Sequence, residues 1–190
     1  HRMLGLKNEQ NLIGNGISFC AVCDGAFFAG KTVGVVGGGN SALQEALLLA
    51  ETSRKVMVFQ NLDRLTGEQK LIDRLDKKSN VEVLLGCEVL AYNGIDELQG
   101  VVVRRDGETR EYKLDGLFLA VGLVPQNAPF ADVAALDDRG YIAAGEDCVT
   151  ATPGVFVAGD CRNKQIRQVT TACADGAVAA LAACRYIDSL

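Results

Sequence analysis

The sequence predicts an α/β fold, and three observations carry that prediction. A short apolar run, Lys31-Thr32-Val33-Gly34-Val35-Val36, enters the glycine turn Gly37-Gly38-Gly39-Asn40-Ser41-Ala42. Leu43, Ala46, Leu47 and Ala50 then recur at helical spacing, and Val56-Met57-Val58-Phe59 reads as the next parallel strand. Further on, Leu98–Arg105 and Thr109–Leu114 flank Asp106-Gly107, a strong hairpin signal. Strand, glycine turn, helix, strand is the βαβ unit of a Rossmann-like, three-layered nucleotide-binding domain, and the hairpin is an insertion into it.

The residues of the glycine turn have separate tasks. Gly37 allows the tight turn, Gly39 lets the backbone approach a pyrophosphate, and Ala42 permits close helix–strand packing. Asn40 and Ser41 open the helix whose N-terminus faces the phosphates. The end of the second strand reads the ribose: an acid there suits NAD, and arginines suit the 2′-phosphate of NADP. Gln60, Asn61 and Leu62 stand there, with Asp63 and Arg64 beyond, and they match neither pattern. Gly122, after the last strand, completes the candidate nucleotide set.

The remaining elements follow from periodicity. Leu71, Ile72 and Leu75 give Glu68–Lys77 one apolar face and predict a helix. Val81–Leu85, Cys87–Tyr92 and the fully apolar Leu117–Val121 read as strands, and Gly122-Leu123-Val124-Pro125 reads as a linker. Thr152-Pro153-Gly154 turns into an expected strand, Val155–Ala158, ending in Gly159-Asp160. Arg167–Thr171 leads into an alanine-rich helix running to about Asp188. An aspartate at a strand's carboxyl end, facing a helix start, is a small-molecule position in α/β folds, although capping a turn explains it equally well.

Composition removes several classes. A net charge of −5 lacks the basic face that nucleic-acid binding requires. The longest apolar run, Leu117–Pro125, is half the roughly 18 residues of a membrane span. No signal peptide is recognised, so a cytoplasmic location is expected. The only histidine is His1, which speaks against histidine-based triads, His-ligated zinc and histidine general bases, and no metal site is expected.

Seven cysteines stand at 20, 23, 87, 148, 161, 173 and 184. An odd number without a secretion signal is not a disulfide framework, and only Cys20 and Cys23 form a C-x-x-C. A zinc ribbon would need a second close pair. Cys87, Cys148, Cys161, Cys173 and Cys184 read as small buried hydrophobes. Asp24 directly follows Cys23, and a carboxyl there can move the proton that dithiol chemistry requires. A C-x-x-C opening a helical turn also gains thiolate stabilisation from unpaired N–H groups.

Together these residues resemble the low-molecular-weight thioredoxin reductases of bacteria. The motifs occur in the family order: Cys20-Ala21-Val22-Cys23-Asp24-Gly25, the Gly37–Ala42 turn, Gly154-Val155-Phe156-Val157-Ala158-Gly159-Asp160, and Arg167-Gln168-Val169-Thr170-Thr171. The resemblance implies FAD as cofactor, NADH or NADPH as donor, thioredoxin as partner, and a homodimer. It implies that Cys23 faces the flavin, that Cys20 attacks the partner disulfide, and that Asp24 is the acid. Gly159 and Asp160 would hold the flavin's ribityl chain, and Arg167, Gln168 and Val169 would line its ring. Residues 1–8 would then close a flavin-domain segment at a hinge, 9–123 would be the nucleotide domain, and 124–190 the C-terminal part of a second, FAD-binding Rossmann-like domain. A second hinge falls near Val124, between two domain orientations that serve the two half-reactions.

Two departures shape the expectations. The family's N-terminal FAD-binding βαβ has no counterpart before Leu4, so weak or absent FAD binding by this chain alone is expected. Where NADPH-dependent members carry a His-Arg-Arg-x-x-x-Arg cluster, this sequence reads Gln60-Asn61-Leu62-Asp63-Arg64-Leu65-Thr66, which predicts NADH over NADPH. Reduced ferredoxin is an alternative donor, against which the retained glycine turn speaks. The flavoprotein subunit of alkyl hydroperoxide reductase is similar across this region. A non-catalytic nucleotide-binding or redox-sensing module is the alternative from another class.

Overall fold

A computed structural model describes all residues, 1–190, in two compact units, His1–Leu123 and Val124–Leu190. The first unit begins with α1 (Glu9–Leu12), β1 (Ile17–Ser18) and α2 (Ala21–Asp24). There follow β2 (Thr32–Val36), α3 (Asn40–Leu49), β3 (Lys55–Phe59), α4 (Gln69–Leu75) and β4 (Val81–Leu84). Strands β5 (Cys87–Asn93), β6 (Gly100–Arg105) and β7 (Glu108–Lys113) come next, and β8 (Gly116–Leu119) closes the unit. The second unit holds one long helix, α5 (Val169–Asp188).

Five strands form a parallel sheet in the order β1-β8-β2-β3-β4. Its strands are largely apolar because both faces are covered, with Lys55 and Glu82 paired across β3 and β4. Val33, Val35, Val56, Val58 and Phe118 pack with Leu43, Ala46 and Leu47 of α3. Their pleat neighbours Val36, Met57, Phe59, Leu117 and Leu119 pack with Val89, Val101 and Val103 of the antiparallel sheet β5-β6-β7. Helices, parallel sheet and antiparallel sheet are thus three layers, as the sequence predicts. Asp106 and Gly107 adopt φ of 52° and 81°, the left-handed pair that a two-residue hairpin turn demands.

Some boundaries differ. The segment expected as a strand from Leu98 pairs only from Gly100, because the Leu98 N–H is taken by the Asn15 carbonyl. The expected strand Leu117–Val121 ends at Leu119, and the helix expected over Glu68–Lys77 covers Gln69–Leu75. In the second unit, Val155–Ala158 is not a strand: Phe156 makes one isolated bridge, to Val149. That unit packs Ala134, Ile142 and Val157 into a small core. Val169, Leu181 and Ile187 of α5 are exposed. No helix is long and apolar enough to cross a membrane.

Candidate active site

The carboxyl ends of β2, β3 and β8 open into a cleft of about 730 Å³. Gly37, Gly39, Asn40, Ser41, Gln60, Asn61 and Gly122 all line it, whereas Ala42, in the first turn of α3, is fully buried in the core between helix and sheet. Gly37 has φ 129°, and a Cβ there would sit 2.5 Å from the Ala120 carbonyl oxygen, so only glycine fits. At Gly39 a Cβ would meet nothing closer than Thr66 Oγ1 at 3.8 Å, and that open space lies before the first turn of α3. The first-turn N–H groups of a helix have no intrahelical acceptor and suit a phosphate.

Two polar side chains of this set are already engaged. Asn40 Oδ1 accepts the Glu68 N–H at 2.7 Å and its Nδ2 donates to Glu68 Oε1 at 3.0 Å, tying α3 to the start of α4. Gln60 is buried and donates to the Arg64 carbonyl at 3.1 Å. The N–H groups of Thr66 and Gly67 donate to the Gly38 carbonyl at 2.8 and 3.0 Å. The loop after β3 is thereby clamped onto the glycine turn. Arg64 points away to Asp63 on the surface. In the cavity beside Asn61, Arg104 pairs with Glu88 and Arg105 with Asp106.

Cys20 and Cys23 form a disulfide across α2, with Cα atoms 5.3 Å apart. Cys20 is the N-cap, and its sulfur accepts the Cys23 N–H at 3.1 Å. Cys20 is half-buried and Cys23 exposed. Ser18, at the end of β1, donates its hydroxyl to Asp24 Oδ2 at 2.7 Å and accepts the Cys20 N–H at 3.1 Å. The carboxyl that the sequence singles out is therefore held by a hydroxyl that also touches the redox pair. Val22 and Phe27, each 74% exposed, flank the disulfide with apolar surface.

In the second unit Asp160 is exposed on a turn that Gly159 makes at φ 81°. The Asp160 carbonyl accepts from Arg167 Nε at 3.3 Å, and the Arg167 guanidinium lies 4.0 Å from the Tyr141 ring centroid. Gln168 caps α5: its N–H donates to Thr171 Oγ1 at 3.2 Å, and its carbonyl accepts from the same hydroxyl at 2.9 Å. Val169 is exposed.

Sequence reasoning passed over four residues. Asp175 is buried and accepts the Gly159 N–H at 3.0 Å, Arg162 at 3.1 and 3.2 Å, and Lys164 at 2.8 Å. The Arg162 guanidinium, then Lys164, holds its carboxyl well below the usual carboxylate range. Glu9 accepts the Leu4 and Gly5 N–H groups and the Tyr92 hydroxyl. Ser18 and Glu45 are the others. An acid at the i+3 position of the otherwise apolar stripe Ala42, Glu45, Leu49 is the available signal for the last. Of the cysteines expected to be buried, Cys87 and Cys148 are, and burial pushes both thiols up. Cys161 is half-buried, and Cys173 and Cys184 are exposed on a face of α5 that no residue of the second unit covers.

A glycine-turn cleft at the carboxyl end of a parallel sheet and a C-x-x-C disulfide thus stand on one α/β unit. The chain belongs to the pyridine nucleotide-disulphide oxidoreductase family, whose model matches residues 1–176. It is similar over its whole length to thioredoxin reductases: 38% identical to that of Treponema pallidum and 40% to that of Listeria monocytogenes, covering 62% and 60% of those proteins. The solved thioredoxin reductase of Streptococcus pyogenes superposes on the whole chain with a TM-score of 0.90 at 35% identity, over 63% of its own length. The chain thus spans about three fifths of the relatives that it matches.

Proposed function

We propose that the chain is the nucleotide- and disulfide-bearing part of a thioredoxin reductase that passes electrons from NADH, through FAD, to thioredoxin. The observation that carries this reading is the Cys20–Cys23 disulfide, with the Ser18–Asp24 pair against it, on the unit that holds the glycine-turn cleft. Residues 9–123 form the nucleotide domain, and 1–8 with 124–190 belong to the flavin domain. The fit for a flavin rests on the exposed Asp160 carboxylate at the Gly159 turn, with Arg167 fixed beside it. A bound flavin would accept hydride from the nicotinamide and supply an electron pair to the disulfide.

The chain's own residues do the rest. Gly37, Gly39 and the backbone of Asn40 and Ser41 in the first turn of α3 bind the pyrophosphate, with the buried Ala42 letting α3 pack close beneath it; Asn61 binds the ribose beside Gln60, which shapes that end of the cleft, and Gly122 borders the nicotinamide. Gly159 and Asp160 hold the ribityl chain, while Arg167, Gln168 and Val169 border the ring. Cys23 faces the flavin and Cys20 attacks the partner. Asp24, held by the Ser18 hydroxyl, is the acid that supplies the proton the departing thiolate needs. Val22 and Phe27 offer apolar surface to a protein partner. A reducing, cytoplasmic compartment fits the five free thiols, and a homodimer is the assembly that the resemblance to thioredoxin reductases implies.

NADH is favoured because no free cation faces the ribose end of the cleft. Arg2, whose N–H bonds the Gly122 carbonyl, lies beside β8, two strands from Gln60. A 2′-phosphate without charge-assisted partners loses about 2–4 kcal/mol. The test is steady-state reduction of thioredoxin by the full-length enzyme. Catalytic efficiency with NADH at least tenfold above NADPH is expected, and Cys20→Ser abolishes turnover while nucleotide affinity stays. A tenfold preference for NADPH overturns the donor assignment. A flavin that neither nucleotide bleaches anaerobically indicates ferredoxin.

A further inference from the structure

Glu45 has a carboxyl where α3 should carry an apolar side chain. It lies on the stripe Ala42, Glu45, Leu49, spaced i, i+3 and i+7. Ala42 and Leu49 belong to the same buried cluster as Ala21, the first residue of α2. Leu49 also sits against Gly25, just beyond α2, where a Cβ would lie 3.3 Å from Leu49 Cδ2. The stripe therefore supports the floor of the dithiol turn. One carboxyl oxygen of Glu45 is shut off from solvent with no hydrogen-bond partner, and the Ala21 N–H faces the carboxyl. Ala21 stands between the two redox cysteines.

The carboxyl has no cation. The titratable and charged groups on the elements packed against α3 are Cys20, Cys23 and Asp24 around α2, Lys70, Asp73 and Arg74 on α4, and Lys55 on β3. Asp24 is occupied by Ser18, and Lys55 pairs with Glu82. Burial pushes the Glu45 carboxyl up to about 7, against the lowering effect of the Ala21 N–H. With the disulfide closed and uncharged, Glu45 is thus poised to gain or lose its proton near neutrality.

We propose that Glu45 is a positioning residue of the dithiol: it lies on the α3 stripe that supports the turn carrying Cys20 and Cys23, and its ionisation opposes thiolate formation there. This rests on the reading of Cys20–Cys23 as a reducible pair. When a cysteine thiol loses its proton, the sulfur gains a negative charge on the turn that the Glu45 stripe supports. A carboxylate beneath it repels that charge, so the two groups release their protons in coupled steps. Deprotonating Glu45 weakens the thiolate, and forming the thiolate returns the proton to Glu45. By reciprocity each group shifts the other by the same factor.

Two measurements on the reduced full-length protein test this. Alkylation of Cys20 and Cys23 by iodoacetamide, followed by mass spectrometry from pH 5 to 10, reports the thiolate fraction. In Glu45→Gln the reactive cysteine should alkylate about three- to tenfold faster at pH 7.5 than in the wild type, the effect of removing one nearby like charge. The wild-type profile should also be broader than that of the variant. The second measurement needs no variant: the carboxyl ¹³C shift of Glu45 should titrate near neutrality in the oxidised protein and at higher pH after reduction. Superimposable alkylation profiles, or a Glu45 midpoint that reduction does not move, overturn the proposal. Failure of the redox reading appears separately, as full thioredoxin turnover in Cys20→Ser.

Discussion

The Ser18 hydroxyl lies 2.7 Å from Asp24 Oδ2 and 3.1 Å from the Cys20 N–H, so one side chain fixes both the acid and the N-cap cysteine of the redox turn. A hydrogen bond to a charged group contributes about 1.5–3 kcal/mol. Ser18→Ala releases Asp24 into other rotamers. In the full-length enzyme thioredoxin reduction should fall roughly tenfold, and Asp24→Asn should cost roughly a hundredfold through loss of the proton donor. The double variant should be no slower than Asp24→Asn alone, because the hydroxyl acts through the carboxyl. Stopped-flow reduction of thioredoxin checks this, and an unaltered Ser18→Ala rate removes the orienting role.

Gly37 and Gly39 separate folding from binding. At Gly37 a methyl group meets the Ala120 carbonyl oxygen in a left-handed backbone, so Gly37→Ala should lose about 2–4 kcal/mol of stability. Gly39 has φ −85° and open space, so Gly39→Ala should fold within about 1 kcal/mol of the wild type. Its methyl group nevertheless occupies the approach to the pyrophosphate, and NADH affinity should fall at least tenfold. Urea denaturation beside calorimetric titration with NADH distinguishes the two. An unchanged affinity in Gly39→Ala would place the phosphates elsewhere.

The parallel sheet was legible because its central strands are largely apolar and the turn after β2 is marked by glycine. Val33 to Val36, Val56 to Phe59 and the Asp106-Gly107 hairpin stand where periodicity puts them. What escaped has no local signature. β1 is two residues long and exists only through its pairing with β8. Val155–Ala158 has the residues of a strand but one bridged partner. The glycine turn and the C-x-x-C announced themselves by spacing, whereas Ser18 and Glu45 act through contacts that the chain makes only once folded. Asn40 shows the converse: its motif position suggests a ligand, and its side chain is spent on Glu68.

Asp175 anchors the Gly159 turn from below, and its loss should be felt as stability before chemistry. Asp175→Asn leaves Arg162 buried and underpaired, at a cost of about 3 kcal/mol. The carboxyl titrates well below its unfolded value, so its contribution is complete above about pH 4. It is lost as pH falls through the folded value. The stability gap between wild type and Asp175→Asn should accordingly be full at pH 7 and shrink on acidification. Urea melts at neutral and acid pH measure it, and a gap that stays constant rules out the ion pairs as its source.

Glu45 carries the opposite sign. Its folded-state value is raised from 4.5 to about 7, so the folded protein binds more protons than the unfolded chain between those limits. Below about pH 4.5 the carboxyl is neutral in both states and costs nothing through ionisation. Between pH 4.5 and 7 the unfolded chain ionises freely while burial opposes ionisation in the folded state, and stability declines. Above 7 the loss is complete, on the order of 2–3 kcal/mol. Glu45→Gln has no proton to exchange, so this component of its stability is flat with pH. The difference between Glu45→Gln and the wild type should therefore move in favour of the variant by about 2–3 kcal/mol from pH 4.5 to pH 8. Whatever fixed penalty the buried amide carries cancels in that comparison, which isolates titration from packing. Denaturant melts at the two pH values suffice. A difference that does not change with pH would mean that Glu45 ionises in the fold as it does in water, with no burial to oppose it.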